Sequence, residues 1–155
     1  MNRQRNERVL FFILVLLCPS VGIIMPQQKS PALKTFTVIY GSGGGITGMA
    51  NGFIIYGNGN VEKWSGLYFR RSKIEKLGAA APQTLPPIQK VFETRTYKKW
   101  KQQDTGNMTT RVWCISGKDT TMVSWKGMEP GGEVPPAIRD FYLKLKNVVQ
   151  STKKS

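Results

Sequence analysis

The segment Gly43-Gly44-Gly45-Ile46-Thr47-Gly48 matches, letter for letter, the G-x-G-x-x-G pattern that brings backbone amides up to a dinucleotide pyrophosphate. That chemistry requires a strand entering the loop and a helix leaving it, so that the helix N-terminus faces the anion. Here the exit Met49-Ala50-Asn51-Gly52-Phe53 leads into a strand-like run, and no Gly-Lys-Ser/Thr follows the loop. The sequence therefore excludes a nucleotide as ligand. One reading left for Gly43, Gly44, Gly45, Thr47 and Gly48 is a wide hairpin connection whose positive φ values suit glycine. The other is a backbone nest for an anion, or a contact loop.

Two basic runs are the next candidates, Lys98-Lys99-Trp100-Lys101 and Arg70-Arg71-Ser72-Lys73. Lysines around a tryptophan suit an anionic surface, with the indole at a lipid interface or against a sugar. The same residues also suit a helix C-terminus, where lysines complement the dipole and Trp100 closes the core. Arg70, Arg71 and Lys73 would extend the patch if the fold brings both runs together.

Catalytic and metal chemistry find little support. The chain has no histidine, which removes Ser-His-Asp and Cys-His triads, histidine zinc sites and any histidine pH switch. Glu62, Glu75, Glu93, Asp104, Asp119, Glu129, Glu133 and Asp140 are scattered without the spacing of a carboxylate metal site or glycosidase pair. Cys114 lies between Trp113 and Ile115 in a strand-like segment and reads as a buried, inert thiol. Asn107-Met108-Thr109 is a glycosylation sequon, meaningful only in a eukaryotic secretory pathway. No cofactor, no metal and no enzymatic activity are expected.

The location of the protein is read from its start. A polar, arginine-bearing stretch precedes the unbroken apolar run Val9–Leu17, which is followed by Cys18-Pro19-Ser20-Val21-Gly22. Charged, apolar and small-residue regions in that order mark export. Cleavage after Gly22, with small residues at Ser20 and Gly22, is the favoured reading. A retained anchor from Val9 to Met25 would span ~25 Å as a helix, slightly short of the ~30 Å hydrocarbon core. Acylation at Cys18 would make the chain a lipoprotein, though Leu17 is bulky for that site. All three readings put the domain outside the cytoplasm, secreted or periplasmic or tethered to a membrane.

The formal net charge of +14 comes from 23 Lys and Arg against 9 Asp and Glu. It makes a positive field that favours polyanions. For an exported chain these are an anionic membrane surface or an envelope polyanion, so nucleic acid is disfavoured; a protein partner is the other option.

The elements that must hold these residues follow from periodicity. Residues 1–25 are the targeting segment, 26–34 a flexible spacer, 35–150 one domain and 151–155 a basic tail expected to fray. Thr35–Tyr40, Phe53–Tyr56 and Val61–Trp64 read as strands, the last two joined by Gly57-Asn58-Gly59-Asn60. Leu67–Arg71 reads as a fourth strand and Ser72–Pro87 as a connection. Ile88, Val91, Phe92 and Trp100 give a helical pattern stopped near Asp104. Thr110–Ile115 and Thr120–Trp125 form a second hairpin. Ile138, Phe141, Tyr142, Leu145, Val148 and Val149 stack on one face of a final helix. The fold class expected is α+β: an antiparallel sheet of about six strands in hairpins, with two helices packed on one face.

The loop Tyr40–Gly48, the hairpin Gly57–Val61 and the late Trp125 together resemble small uncharacterised exported or lipoprotein-like domains of Bacteroidetes-type bacteria. These carry a Gly-Gly-Gly-(Phe/Ile)-Thr-Gly loop, a following hairpin and a C-terminal helix after a tryptophan. The resemblance spans about Phe36 to Val149 and implies location and fold, not mechanism. The expected function is that of a non-catalytic envelope or secreted protein binding an anionic surface or a protein partner. Two alternatives stand beside it: an inhibitor or chaperone-like module using the glycine loop as contact, and an enzyme whose carboxylates or lysines meet only in the fold.

Overall fold

A computed structural model describes residues 35–101 and 105–154. The targeting segment with Cys18, the spacer, Asp104 and Ser155 lie outside the described residues.

Six long strands form an antiparallel sheet: β1 (Phe36–Gly44), β2 (Met49–Tyr56), β3 (Asn60–Leu67), β4 (Lys73–Ala79), β5 (Met108–Ser116) and β6 (Asp119–Lys126). A short β7 (Lys153–Lys154) adds to one edge, giving the order β6-β5-β1-β2-β3-β4-β7. Two helices, α1 (Pro86–Glu93) and α2 (Pro136–Gln150), pack on one face. Prolines open both helices, where a missing N–H costs nothing.

Alternation along the strands assigns the helix face. Val38 and Tyr40 of β1, Ile55 of β2, Val61 of β3, Val112 and Cys114 of β5, and Val123 and Trp125 of β6 point to it. Ile88 and Phe92 of α1, and Ile138, Phe141, Leu145 and Val148 of α2, close over them. Ring contacts tie the layers: Phe36 stacks on Phe92 at 4.5 Å, and Tyr142 meets the Trp125 ring edge-on at 5.2 Å. The final helix is where its apolar spacing puts it.

Four elements differ from the sequence reading. The segment Leu67–Arg71 is not a strand: β3 ends at Leu67, and residues 68–72 form a loop. The fourth strand is instead Lys73–Ala79, within the expected connection. Its first four residues are exposed, so it shows no buried alternation, and pairing with β3 supplies its shape. The helix read from Ile88 to Trp100 stops at Glu93. Thr94 Oγ1 bonds back to the Lys90 carbonyl at 2.8 Å and Arg95 turns left-handed at φ 53°, leaving only a 3-10 turn over Thr96–Lys99. The tail is not frayed where it is described. Ser151 Oγ and Thr152 Oγ1 donate to the Val148 carbonyl at the helix end, and Lys153 and Lys154 pair with Ala79 and Gly78.

Among the described residues no helix covers the opposite face. Its centre is Trp64 of β3, which is 1% exposed. Along the register, Trp64 faces Gly52 of β2, and Gly52 faces Gly41 of β1. A Cβ on Gly41 would overlap Trp64 Cζ2 and the Asn51 carbonyl, so the indole occupies space that only glycine leaves. Trp64 Nε1–H donates to the Tyr40 carbonyl at 3.2 Å. Ile39, Ala50 and Ile54 complete this second core. Trp64→Ala should therefore cost about 3–5 kcal/mol, and Gly41→Ala about 1–3 kcal/mol by overpacking. Urea denaturation followed by far-UV circular dichroism reads both, and a change below about 1 kcal/mol at Trp64 would show the second core to be dispensable.

Candidate functional site

The Gly44 end of the sheet concentrates the unusual backbone and the unusual side chains. β1 runs on through Gly44, so Gly41–Gly44 belong to a strand and the reversal is confined to Gly45–Gly48. The Gly45 amide donates to the Asn107 carbonyl at 2.8 Å and the Gly48 amide to the Gly45 carbonyl at 3.2 Å. Thr47 Oγ1 accepts the Met49 amide at 3.3 Å. These amides are engaged within the protein rather than aimed at a common anion, and a strand, β2, leaves the loop. The glycines act by leaving room. A Cβ on Gly48 would stand 2.6 Å from Tyr68 Cε1, and one on Gly44 would strike the Asn107 carbonyl.

That room receives the β3–β4 connection. The Tyr68 amide donates to the Gly48 carbonyl at 2.8 Å, and the chain folds back so that the Arg70 carbonyl lies against Gly66, where a Cβ would collide. Tyr68 and Phe69 both take left-handed backbone, with φ of 48° and 63°. Each non-glycine residue there costs about 1–3 kcal/mol unless its surroundings impose it. For Phe69 they do: its ring lies 6.2 Å from Trp64 and 5.9 Å from Trp113, edge-on to the latter. The Arg111 guanidinium sits 4.4 Å over the Phe69 ring, and that of Arg71 lies 5.9 Å over Trp113. This loop is the lid that the helices do not provide.

Between the glycine turn and the lid lies a cavity of about 230 Å³, lined by residues that include Gly44, Gly48, Tyr68, Phe69, Asn107 and Arg111. It is smaller than a typical drug-sized pocket. Arg111 projects to the face that carries Trp64 and Trp113, and its Nε is buried without a hydrogen-bond partner. The hydroxyl of Ser124, the residue opposite it on β6, is also buried and unpartnered.

The same end carries exposed apolar side chains. Among the described residues seven large hydrophobics are exposed, and five of them lie here: Ile46, Met49, Leu67, Tyr68 and Met128. Met49 and Leu67 are cross-strand partners, Ile46 is in the glycine turn, and Met128 follows Gly127, whose amide bonds the Met108 carbonyl beside Gly44. Exposed Arg70, Arg71, Lys73 and Lys126 surround them, and Lys73 is bridged to Glu75 at 2.6 Å. The Lys73 ammonium holds the Glu75 carboxyl below its ordinary value, first through the hydrogen bond and then through its charge.

The two basic runs are not brought together. Lys98 bridges Asp119 in the β5–β6 hairpin, at the Phe36 end of the sheet and on the helix side. Lys99 and Lys101 are exposed nearby in sequence, whereas Trp100 is half-buried against Phe141 at 5.0 Å, its Nε1 buried without a partner. Trp100 is a core residue there, not a surface platform. Arg70, Arg71 and Lys73 sit toward the Gly44 end, so the fold does not join the two runs into one patch.

Phe69, Tyr68 and Arg111 were not singled out by sequence reasoning. A signal existed for one of them: Arg111 and Trp113 stand two apart in an alternating strand and so share a face with Ile115.

Two outcomes check this geometry. At position 68 glycine should be favoured over alanine by about 1–2 kcal/mol, the reverse of an ordinary strand position, because of the left-handed backbone. Comparing Tyr68→Gly with Tyr68→Ala in urea measures it, and a less stable glycine variant would place the backbone elsewhere. Burial pushes the Cys114 thiol up from 9.0 to about 12. A raised thiol pKa keeps the folded state protonated where the unfolded chain ionises, so this contribution to stability is lost as pH rises above about 9. At pH 8 native Cys114 should label at least about 100-fold more slowly than in urea, read by mass spectrometry at that residue; equal rates would mean an open, activated thiol.

No protein-family model and no curated protein sequence matches this chain.

Proposed function

We propose that the chain is an exported, non-catalytic protein whose domain docks on an anionic lipid surface with the Gly44 end of its sheet. The observation that carries this is the gathering of Ile46, Met49, Leu67, Tyr68 and Met128 at one end, rimmed by arginines and lysines. Scattered exposed apolar residues need no explanation, but a cluster with a basic rim does. Short apolar and aromatic tips enter the headgroup boundary, while each Lys or Arg near an anionic leaflet adds about 1 kcal/mol. The formal charge of +14 supplies the long-range attraction. The N-terminal order of charged, apolar and small residues supports delivery to a membrane-bounded compartment. Among the described residues no helix is long and apolar enough to cross a membrane, so docking by this domain would be peripheral.

Co-sedimentation with phosphatidylcholine vesicles, with and without phosphatidylglycerol, tests the reading. Binding should require the anionic lipid and weaken as salt rises, because screening shortens the reach of exposed charges to about 10 Å at 0.1 M. Leu67→Asp combined with Met49→Asp should lower the anionic-lipid component at least about tenfold, as two exposed apolar contacts give way to charge. Lys98→Glu with Lys99→Glu, at the other end, should change it much less. The N-terminal apolar run is common to every variant, so the difference between variants reads the sheet end. Unaltered binding by the Asp variants, or binding indifferent to salt, would reject the docking surface and turn attention to a protein partner.

A further inference from the structure

We propose that the cavity between the glycine turn and the Phe69 lid binds a phosphate group, with the guanidinium of Arg111 as its charged ligand. The inference rests on the surface reading only for the choice of phosphate among oxyanions; the cavity itself stands without it.

Arg111 is the only ionisable side chain among the described residues lining the cavity besides the Tyr68 phenol, and no carboxylate lines it there. A half-buried guanidinium ordinarily has a carboxylate partner, because an unpaired charge is costly to remove from water. Arg111 forms none of the protein's described ion pairs, and its buried Nε lacks any hydrogen-bond partner. Its restraint comes from the apolar side instead: Phe69 lies beneath the guanidinium at 4.4 Å, and the strained backbone of Tyr68 and Phe69 holds that ring in place. A planar guanidinium fixed on an aromatic face keeps its edge donors for an oxyanion, which it binds in two-point geometry.

The rest of the lining fits a small tetrahedral anion. Gly44 and Gly48 present no side chain, and Asn107 and Thr109 bring polar groups to the wall. A volume of about 230 Å³ admits a phosphate with part of an ester and excludes a nucleotide-sized ligand. Tyr68 belongs both to the cavity wall and to the exposed apolar end, so a headgroup phosphate would enter as the tip meets the bilayer.

Two sources share this chemistry, the headgroup of an anionic phospholipid and a soluble phosphate ester. Proton–nitrogen correlation spectra of the full-length chain would follow the Arg111 Nε–H resonance, identified by its loss in Arg111→Met, during titration with inorganic phosphate and with glycerol 3-phosphate. Methionine keeps the apolar stem over Phe69 and removes the charge. The expected result is a saturable shift of that resonance, with amide shifts at Gly44, Gly48 and Asn107 that Arg111→Met abolishes. If Arg111→Met also lowers anionic-vesicle binding several-fold, the phosphate is a headgroup's; if vesicle binding is unchanged, the site takes a soluble ester. Either result supports the site. Should the wild-type resonance stay unmoved by both phosphates, the proposal is overturned even if Arg111→Met fails to fold. Vesicle binding that persists in that case would leave the docking surface standing and the cavity without this role.

Discussion

The Trp64 indole laid against Gly41 is the contact on which the Gly44 end of the sheet depends. A sheet with helices on one side must still shield its other side from water, and among the described residues no third α-helix does so. Glycines at positions 41 and 52 let a tryptophan from β3 reach across two neighbouring strands and donate to the Tyr40 carbonyl. Its buried ring then offers an apolar seat for Phe69, and Phe69 in turn carries the Arg111 guanidinium. Each step requires the previous one. Without the glycine floor there is no seat, and without the seat the left-handed backbone of Tyr68 and Phe69 has nothing to impose it.

The energies involved explain why the lid is a feature and not an accident of chain path. Two left-handed non-glycine residues cost roughly 2–6 kcal/mol together. Burying most of a phenylalanine returns about 1.5–3 kcal/mol, each aromatic pair about 0.5–1.5, and a cation over the ring about 0.5–2. These sums are comparable, so the lid holds its shape only while all of its partners are present. The helix face is different in kind. There, apolar packing is reinforced by hydroxyls that satisfy one another and the returning loop: Ser42 pairs with Thr110 at 2.6 Å, and Thr110 donates to the Gly127 carbonyl at 2.7 Å. Tyr142 closes the set on the Met128 carbonyl, and burial pushes its phenol up to about 12. That face is redundant; the lid face is not.

This difference also sets what could be read from the sequence. The helix face was legible because burial writes itself as periodicity: α2 and the β5–β6 hairpin carry the apolar spacing of their buried sides. Lys73–Ala79 was not, since a strand whose first four residues are exposed has no apolar alternation to show, and Leu67–Arg71 looked like a strand because aromatic residues in a lid mimic β propensity. The strand expected to leave the glycine turn is there as β2. The turn's actual use, making space for Tyr68 and the Asn107 carbonyl, depends on segments ~20 and ~60 residues away and leaves no local trace. Arg111 was overlooked for a related reason. One arginine in a strand of a highly basic chain carries no signal until its surroundings in the fold are seen.

Net charge proved a poor guide to where a surface lies. Lysines 98, 99 and 101 form a basic run as dense as Arg70, Arg71 and Lys73, yet Lys98 is bridged to Asp119 and Trp100 is turned into the core. A charge excess of +14 produces a field around the whole molecule, which draws it toward any polyanion without choosing a face. Choice of face needs a short-range term that differs between the two ends of the sheet. Among the described residues that term is apolar: the hairpin end holding Gly57–Asn60 and Gly117–Lys118 exposes no large hydrophobic side chain, whereas the Gly44 end exposes five. On the proposed docking, long-range charge would bring the protein to a surface, and Ile46, Met49, Leu67, Tyr68 and Met128 would decide how it lands. Arg111, which forms no ion pair among the described residues, is then placed where a bound phosphate would supply a counter-charge.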